Sequence, residues 1–477
     1  MNFNKHFLKL PLIAVVGLLM ALNPVEKAKV WTSTSQPLAE MAQLRKVIKA
    51  PVFKNNDFVV TSFGAKGDGL TNNSLAFKKA IAACNANGGG RVVVPAGKFL
   101  TGAIYLKSNV NLHLQDDATI LFSRDVKEYP IVFTRWEGME CMNYSAQIYA
   151  YGEQNIAVTG NGTLDGNANN EYWWNWNGAK AHGWKEGMPK QTPARNALHE
   201  MMHKNIDPRK RVFGDGHYLR PNMFQPYNCK NILVSGVKMI NSPMWFMNPV
   251  LCENVTVEKV KVQSHGPNND GCDPESCKNV LIKDCFFDTG DDCIAIKSGR
   301  DEDGRRIGRP AENHIIEGCE MKDGHGGVVI GSEIAGGARN IYSINCIMDS
   351  PNLDRVLRLK TSSSRGGIIE NVFMKDVKVG AYKDAAITCN MFYENPGKFM
   401  PTIRNVWVEN LDVSNGGNYG VYVRAYNVSP VQNLRLVNCN IRGVKKPMQI
   451  DYVKNMSLKN VSINGTIAVL PDTLKNQ

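Results

Sequence analysis

Nine segments of this chain share one pattern: Asn, apolar, any, apolar, any, any, apolar, any, apolar. They begin at Asn155, Asn231, Asn254, Asn279, Asn313, Asn340, Asn371, Asn405 and Asn455. From Asn231 to Asn405 the steps are 23, 25, 34, 27, 31 and 34 residues. A recurring unit of this length marks a solenoid, because one unit alone cannot bury its apolar face. Within each unit the apolar positions alternate as in a strand, not as in a helix. One short strand per coil, with turns of unequal length, predicts an all-β parallel β-helix forming a single elongated domain. Successive coils then stack at the strand-pairing distance of about 4.8 Å.

The cysteines follow the same register. Six positions after the repeat Asn stand Val237, Val260, Cys285, Cys319, Cys346, Val377, Leu411 and Val461. Two positions before it stand Cys229, Cys252, Cys277, Ala311, Ala338, Ile369, Ile403 and Val453. Six of the 12 cysteines therefore share columns with aliphatic residues. They read as small buried side chains stacked in the core, although an even count in an exported protein would otherwise suggest disulfides. Cys84, Cys141, Cys272, Cys293 and Cys389 are left open by this pattern. No Cys-x-x-Cys pair suggests zinc.

Four regions emerge along the 477 residues. Residues 1–22 read as a signal peptide, with Lys5 and Lys9 before an apolar run that ends at Leu22. That run is short for a membrane span, so the protein is expected to be secreted or periplasmic without stable membrane insertion. Residues 23–56 read as a leader and linker. The β-helix domain is placed at 57–470. Near its start, Ser74 to Asn85 carries Phe77, Ile81 and Cys84 at helical spacing, and Gly88-Gly89-Gly90 ends the helix. This helix is expected to cap the solenoid.

An insertion at 167–220 interrupts the repeat and holds Trp173, Trp174, Trp176 and Trp184, half of the 8 tryptophans. A loop of that length in a compact fold is usually functional. Its rings suit either sugar faces or the pinning of the loop itself. The formal net charge is +12, which suits an acidic partner. Export points to an acidic polysaccharide rather than a nucleic acid, with the protein acting as a monomer.

The chemistry concentrates between Ser264 and Lys360. Asn268-Asn269-Asp270, Gly290-Asp291-Asp292-Cys293, Gly324-His325-Gly326 and Arg358-Leu359-Lys360 occur in that order. Asp291 is 12 residues after Asn279, and His325 is 12 after Asn313. Equal offsets place them one strand spacing apart on adjacent coils. Aligning Asp270-Gly271-Cys272 with Asp291-Asp292-Cys293 extends this to an expected ladder Asp270–Asp291–His325, with Asp292 alongside. Alternation sends Leu359 inward and puts Arg358 and Lys360 on the outer face. Carboxylates this close cannot all ionise freely, so at least one should titrate high. A neutral acid beside an ionised base is what glycosidic cleavage needs, and the two cations suit a substrate carboxylate. Clustered aspartates also suit Ca²⁺, but His325, Arg358 and Lys360 argue against a metal, and no cofactor is expected.

These four motifs together resemble glycoside hydrolase family 28, the polygalacturonases, over about residues 57–465. The resemblance implies a right-handed parallel β-helix and metal-free inverting hydrolysis of the pectin backbone. It implies Asp291 as general acid, Asp270 with Asp292 as the water-activating pair, and His325 as the residue tuning the acid. Arg358 and Lys360 become carboxylate binders, with Asn268 and Lys297 as further substrate-binding candidates. The family's usual Asn-Thr-Asp is Asn-Asn-Asp here, which leaves Asp270 in place. Ser242-Pro243-Met244-Trp245, Asn248-Pro249-Val250 and Ile330-Gly331-Ser332-Glu333 are similar to exo-acting members. The substrate is then homogalacturonan, cleaved from a chain end closed off by the 167–220 insertion. Endo cleavage, a rhamnogalacturonan or xylogalacturonan substrate, a pectate lyase on a similar solenoid, and a non-catalytic carbohydrate-binding solenoid remain the alternatives.

Overall fold

Asparagine at the head of each coil is explained by the backbone it adopts. The structure, a computed structural model, describes residues 30–470, so the proposed signal peptide lies outside the described residues. Among these, the 11 asparagines that head coils, Asn109, Asn155, Asn231, Asn254, Asn279, Asn313, Asn340, Asn371, Asn405, Asn433 and Asn455, have φ between 53° and 65°. Asn tolerates this left-handed region better than other residues with a Cβ. Strand pairing skips these positions; Lys230 and Ile232 pair with Glu253 and Val255, while Asn231 and Asn254 stand between. The chain bends there, and each amide Nδ2 donates to the Oδ1 of the asparagine one coil earlier. The ten links run from Asn155–Asn109 to Asn455–Asn433 at 2.7–3.3 Å. Asn109 and Asn433 head two further coils that the sequence pattern did not reach.

The residue after each asparagine points inward and forms a stack: Ile232, Val255, Val280, His314, Ile341, Val372, Val406 and Leu434 pair in register. All pairings between coils are parallel, and the coils wind right-handed, the hand that strand twist favours for parallel crossovers. A second face is a six-stranded sheet: β1 (Ile294–Ile296), β2 (Val328–Ile330), β3 (Arg355–Lys360), β4 (Ala385–Asn390), β5 (Tyr419–Arg424) and β6 (Lys446–Asp451). Bridges Phe224–Met247, Met247–Cys272 and Cys272–Ile294 continue it toward the N-terminal coils. All 12 cysteines are buried thiols without a disulfide partner.

From Trp31 on, the chain forms one compact unit. Its segment 23–56 is not merely a linker where described. Helix α1 (Ser35–Val47) buries Met41, and Trp31 and Ile48 join it against Tyr342, Phe373 and Trp407 on the outer face of a sheet. Glu40 Oε2 accepts from both Trp31 Nε1 (3.1 Å) and Tyr342 Oη (2.9 Å), which ties the helix down. Helix α2 (Ser74–Ala86) covers the end of the solenoid with Phe77, Ile81 and Cys84 in the main core, as its spacing predicts.

Two excursions leave the coils. The insertion at 167–220 contains helix α3 (Thr192–His203). The other is an antiparallel hairpin, Ile131–Trp136 with Met139–Tyr144, that the sequence pattern did not announce. Trp136 and Met139 of the hairpin, Leu198 and Met202 of α3, and Trp245 of a coil form one apolar cluster that joins all three. Among the described residues, no helix is long and apolar enough to cross a membrane.

Candidate active site

The repeated geometry of the coils decides where each polar group meets its neighbour. Cys293 N donates to Gly326 O and His325 N donates to Asp291 O, at 2.8 and 3.1 Å, which puts Asp291 beside His325 as the offsets predict. The preceding coil is shifted by one residue from the expected alignment. Gly271 N donates to Asp292 O (3.0 Å) and Cys272 N to Cys293 O (3.1 Å), and Cys272 bridges Ile294. Asp270 therefore faces Asp292 rather than Asp291, and the expected single ladder is two short ones. One side-chain oxygen from each of Asp270, Asp291 and Asp292 still lies within 4.8 Å of the other two.

The two cations of β3 are turned toward Asp292. Leu359 is buried in the core, so its neighbours point the other way, over the carboxylates. Arg358 Nη1 donates to Asp292 Oδ1 (3.2 Å) and Lys360 Nζ to Asp292 Oδ2 (2.7 Å). Both cations also lie under the ring of Tyr393, at 5.3 and 4.9 Å from its centroid. Burial opposes the charge of Asp292, but Lys360, Arg358 and Lys297 outweigh it and hold the carboxyl down at about 2. The sequence reading placed these cations on a substrate carboxylate; here they hold a carboxylate of the protein.

Asp291 stands at the cleft surface with each oxygen in a different setting. Oδ1 accepts from Asp292 N (3.0 Å) and lies 2.9 Å from His325 Nδ1. Oδ2 faces the Asn268 amide at 3.5 Å. The hydrogen bond to Asp291 raises the titration of His325 above that of a free imidazole.

Asp270 is buried, and burial together with Asp273 and Asp291 lifts its carboxyl well above the ordinary range. Its neighbour Asp273 is pushed to about 8 by burial, against the pull of Lys297. Neither Asp270 Oδ1 nor either oxygen of Asp273 receives a proton from a donor group. Two carboxylates are acceptors only, so these two can bond to each other only if one keeps its proton. Lys297 was expected to bind substrate. Its Nζ instead lies 3.7 Å from Asp270, 3.7 Å from Asp273 and 3.4 Å from Glu333, over the ring of Trp245. It neutralises the floor of the site while still lining the cavity.

The cavity beside these groups measures about 120 Å³. Glu333, named in the sequence only within Ile330–Glu333, also lines it, as do groups that sequence reasoning missed: Glu137 at the hairpin tip, Arg195 on α3, Arg300, Tyr393 and Glu394. Arg300 clasps them, with Nη2 at 2.6 Å from Glu333 and 3.6 Å from Glu137 and Nη1 at 3.4 Å from Glu394. Arg195 Nε donates to Glu137 at 2.7 Å and closes the gap between α3 and the hairpin. Asp273, three residues beyond Asp270, was visible in the sequence. Glu137 and Arg195 were not, because nothing in a non-repeating excursion says which coil it folds over.

The tryptophans of the insertion do another job. Trp173 is buried against Tyr129 and Trp176, and Trp174 Nε1 donates to Ser242 O at 2.9 Å. None of the four lines the cavity; the tryptophan that does is Trp245 of a coil. The insertion reaches the cavity through Arg195 of α3, not through its aromatic part.

Residues 213–463, more than half of the chain, match the family described as Glycosyl hydrolases family 28. The protein belongs to this family. The family 28 assignment makes it a glycosidase built on the polygalacturonase β-helix. Residues 58–120 of this glycosidase also match the Rhamnogalacturonase A/epimerase, pectate lyase-like family. It is similar to the crystal structure of a hyperthermoactive exopolygalacturonase from Thermotoga maritima, with 44% identity and a TM-score of 0.88 over 90% of this chain and 96% of that one. It is also 25% identical over 451 residues to an exo-poly-alpha-D-galacturonosidase of Dickeya chrysanthemi, covering 85% of this chain and 70% of the relative. A probable polygalacturonase of Vitis vinifera is 29% identical over 336 residues, 68% of this chain and 61% of the relative's length.

Proposed function

We propose that this family 28 glycosidase hydrolyses the α-1,4-galacturonosidic bonds of polygalacturonate from a chain end and releases galacturonic acid. The observation that carries the reading is the walled cavity beside the three aspartates. Glu137, Arg195, Arg300, Glu333 and Glu394 line it together with the aspartates, and its volume of about 120 Å³ is small for more than one sugar unit. The Thermotoga maritima exopolygalacturonase, at 44% identity, supports the same mode of attack.

In this reading Asp291 donates a proton from Oδ2 to the leaving oxygen, since Oδ1 is already engaged by Asp292 N and His325. Asp292 is the ionised partner and takes the proton of the attacking water. Asp270, kept neutral by burial, holds that water. A substrate carboxylate arriving near Tyr393 competes for Arg358 and Lys360. Each N–H it draws away from Asp292 strengthens Asp292 as a base, because the charged form loses stabilisation. Substrate recognition and base activation are coupled through the same two cations.

One oxygen from each of the three carboxyls lies within 4.8 Å of the others, so the roughly 6.5–9.5 Å between the carboxyls of inverting glycosidases does not itself argue for inversion here. Inversion is supported instead by the state of Asp292, which is 1% exposed and has a cation on each oxygen. Such a group can receive a proton but is poorly placed to reach an anomeric carbon. The reading includes export as a monomer, which N-terminal sequencing of the mature protein and its sedimentation behaviour check.

The direct test is chromatography of products from polygalacturonate over time. Monogalacturonic acid is expected first, and early mixed oligomers would remove exo action. Asp291→Asn is expected to keep the fold and to lower turnover by roughly 10² to 10⁴, the usual worth of a positioned acid. A nuclear magnetic resonance time course in which the first product keeps the anomeric configuration would exclude inversion.

A further inference from the structure

The most heavily bonded cation near the site is one that the mechanism does not use. Arg220, at the end of the insertion, is fully buried, and its four hydrogen-bond acceptors are all neutral. Nε donates to Gln191 Oε1 (3.0 Å), Nη1 to Pro243 O (2.8 Å) and Pro267 O (2.7 Å), and Nη2 to Asn268 Oδ1 (2.6 Å). A buried guanidinium without a carboxylate partner is costly. Burial draws it down to about 10, against the attraction of Glu137, Asp291 and Asp270. A side chain that served only to pin the insertion could be apolar at less cost.

Its effect falls on Asn268. The oxygen and nitrogen of an amide are alike in shape, and only the surrounding bonds decide which way round it sits. Arg220 takes the oxygen, and Asn177 of the insertion adds a second donor to it at 3.4 Å. The nitrogen is thereby forced toward Asp291 Oδ2, at 3.5 Å. Hydrogen bonds to catalytic groups are often long before substrate binds.

We infer that Arg220 is a positioning residue for the acid: through Asn268 it keeps an N–H donor, and not a carbonyl oxygen, aimed at the oxygen of Asp291 that serves the leaving group. The insertion is then wired to the chemistry as well as forming a wall. Without the guanidinium the amide is free to turn, and an acceptor facing the carboxylate disfavours its ionised form. The inference rests on the assignment of Asp291 as acid. The other charged groups facing Asp291 are His325, Asp292, Asp270, Asp273 and Arg358, and none of them contacts the Asn268 oxygen.

The experiment follows polygalacturonate hydrolysis by Arg220→Met, Asn268→Ala and Asn268→Asp, with kcat/KM profiled against pH and Tm measured on each. Arg220→Met and Asn268→Ala are expected to lower kcat at least tenfold with smaller change in KM. Both are expected to move the alkaline limb to higher pH, because a donor that favoured the ionised acid is gone. The double variant should be no worse than the poorer single one, since one relay is broken twice. Asn268→Asp keeps a partner for Arg220 and holds the fold, so it reports even if Arg220→Met does not fold. It should show the same upward shift. Wild-type limbs in the Asn268 variants, or an Arg220→Met loss that follows Tm with an unmoved limb, would overturn the relay. Asp291→Asn run alongside separates the cases: if it stays active, the acid assignment fails; if it is dead while the limbs stay put, only the relay fails.

Discussion

Each aspartate of the site owes its charge state to what touches it. Asp270 and Asp292 face each other across one strand spacing, yet one is kept neutral and the other ionised. The difference lies in β3, which brings Lys360 and Arg358 to Asp292 and leaves Asp270 with a shared lysine. Two predictions belong here. Lys360→Met leaves a buried carboxylate with one cation fewer, and breaking such a pair typically costs about 3 kcal/mol. The outward-face reading alone would have left the fold unaffected, so a lowered urea midpoint together with lost activity is the expected outcome. The second concerns pH. The Asp292 carboxyl titrates at about 2 in the folded protein against an ordinary 3.8. Its contribution to stability is therefore complete above the ordinary value and is lost as pH falls through about 2. The difference in Tm between the protein and Asp292→Asn should narrow over that interval and stay constant above it.

The asparagine ladder is the device that repeats. Asn340 donates to Asn313 and accepts from Asn371, both at 3.0 Å, at φ 58°. Replacing it by Leu removes two hydrogen bonds, each worth about 1 kcal/mol net, and forces a branched residue into the left-handed region, at about 1–2 kcal/mol. Asn340→Gly loses the same bonds without the steric cost, though it gains chain entropy when unfolded. Equilibrium denaturation should therefore rank wild type above Asn340→Gly, and Asn340→Gly above Asn340→Leu by about 1 kcal/mol. The ladder matters beyond stability, because each asparagine sets where the next strand starts. A slip at Asn279 or Asn313 would part Asp291 from His325.

For the molecule as a whole, the proposed mode of attack rests on excursions from the solenoid. Glu137 at the hairpin tip, Arg195 of α3 and the clasp at Arg300 line the cavity, and none of the insertion's four tryptophans does. Removing the side chains of Glu137 and Arg195 together should open the end of the cleft, and dimers and trimers should appear among the early products. Deleting Glu171 to Trp184 should act differently. It removes Asn177 and the Trp174 contact with Ser242, both next to the carboxylate coils. Turnover should fall by about tenfold or more, as small misplacements of catalytic groups do, while monogalacturonic acid stays the main product. A product shift from the deletion with unchanged turnover would show that the aromatic segment is itself the wall.

The solenoid, its strand direction, the buried cysteine columns and the gathering of Asp270, Asp291 and Asp292 were legible in the sequence, because a period repeated nine times leaves one way to stack its apolar columns. The pairing of Asp291 with His325 followed from their equal offsets of 12 residues from Asn279 and Asn313. Asp270 broke that arithmetic: the turns that lead into the two coils differ in length, so the register there was one residue from the aligned one. Only the tertiary structure decided that Arg358 and Lys360 rest on Asp292, that Lys297 lies beneath the site, and that residues 35–47 form a docked helix. The same holds for the wall. Hairpin, α3 and clasp are single, unrepeated segments, and where they fold is set by contacts between residues more than a hundred positions apart, such as Glu137 with Arg300, which no local period encodes.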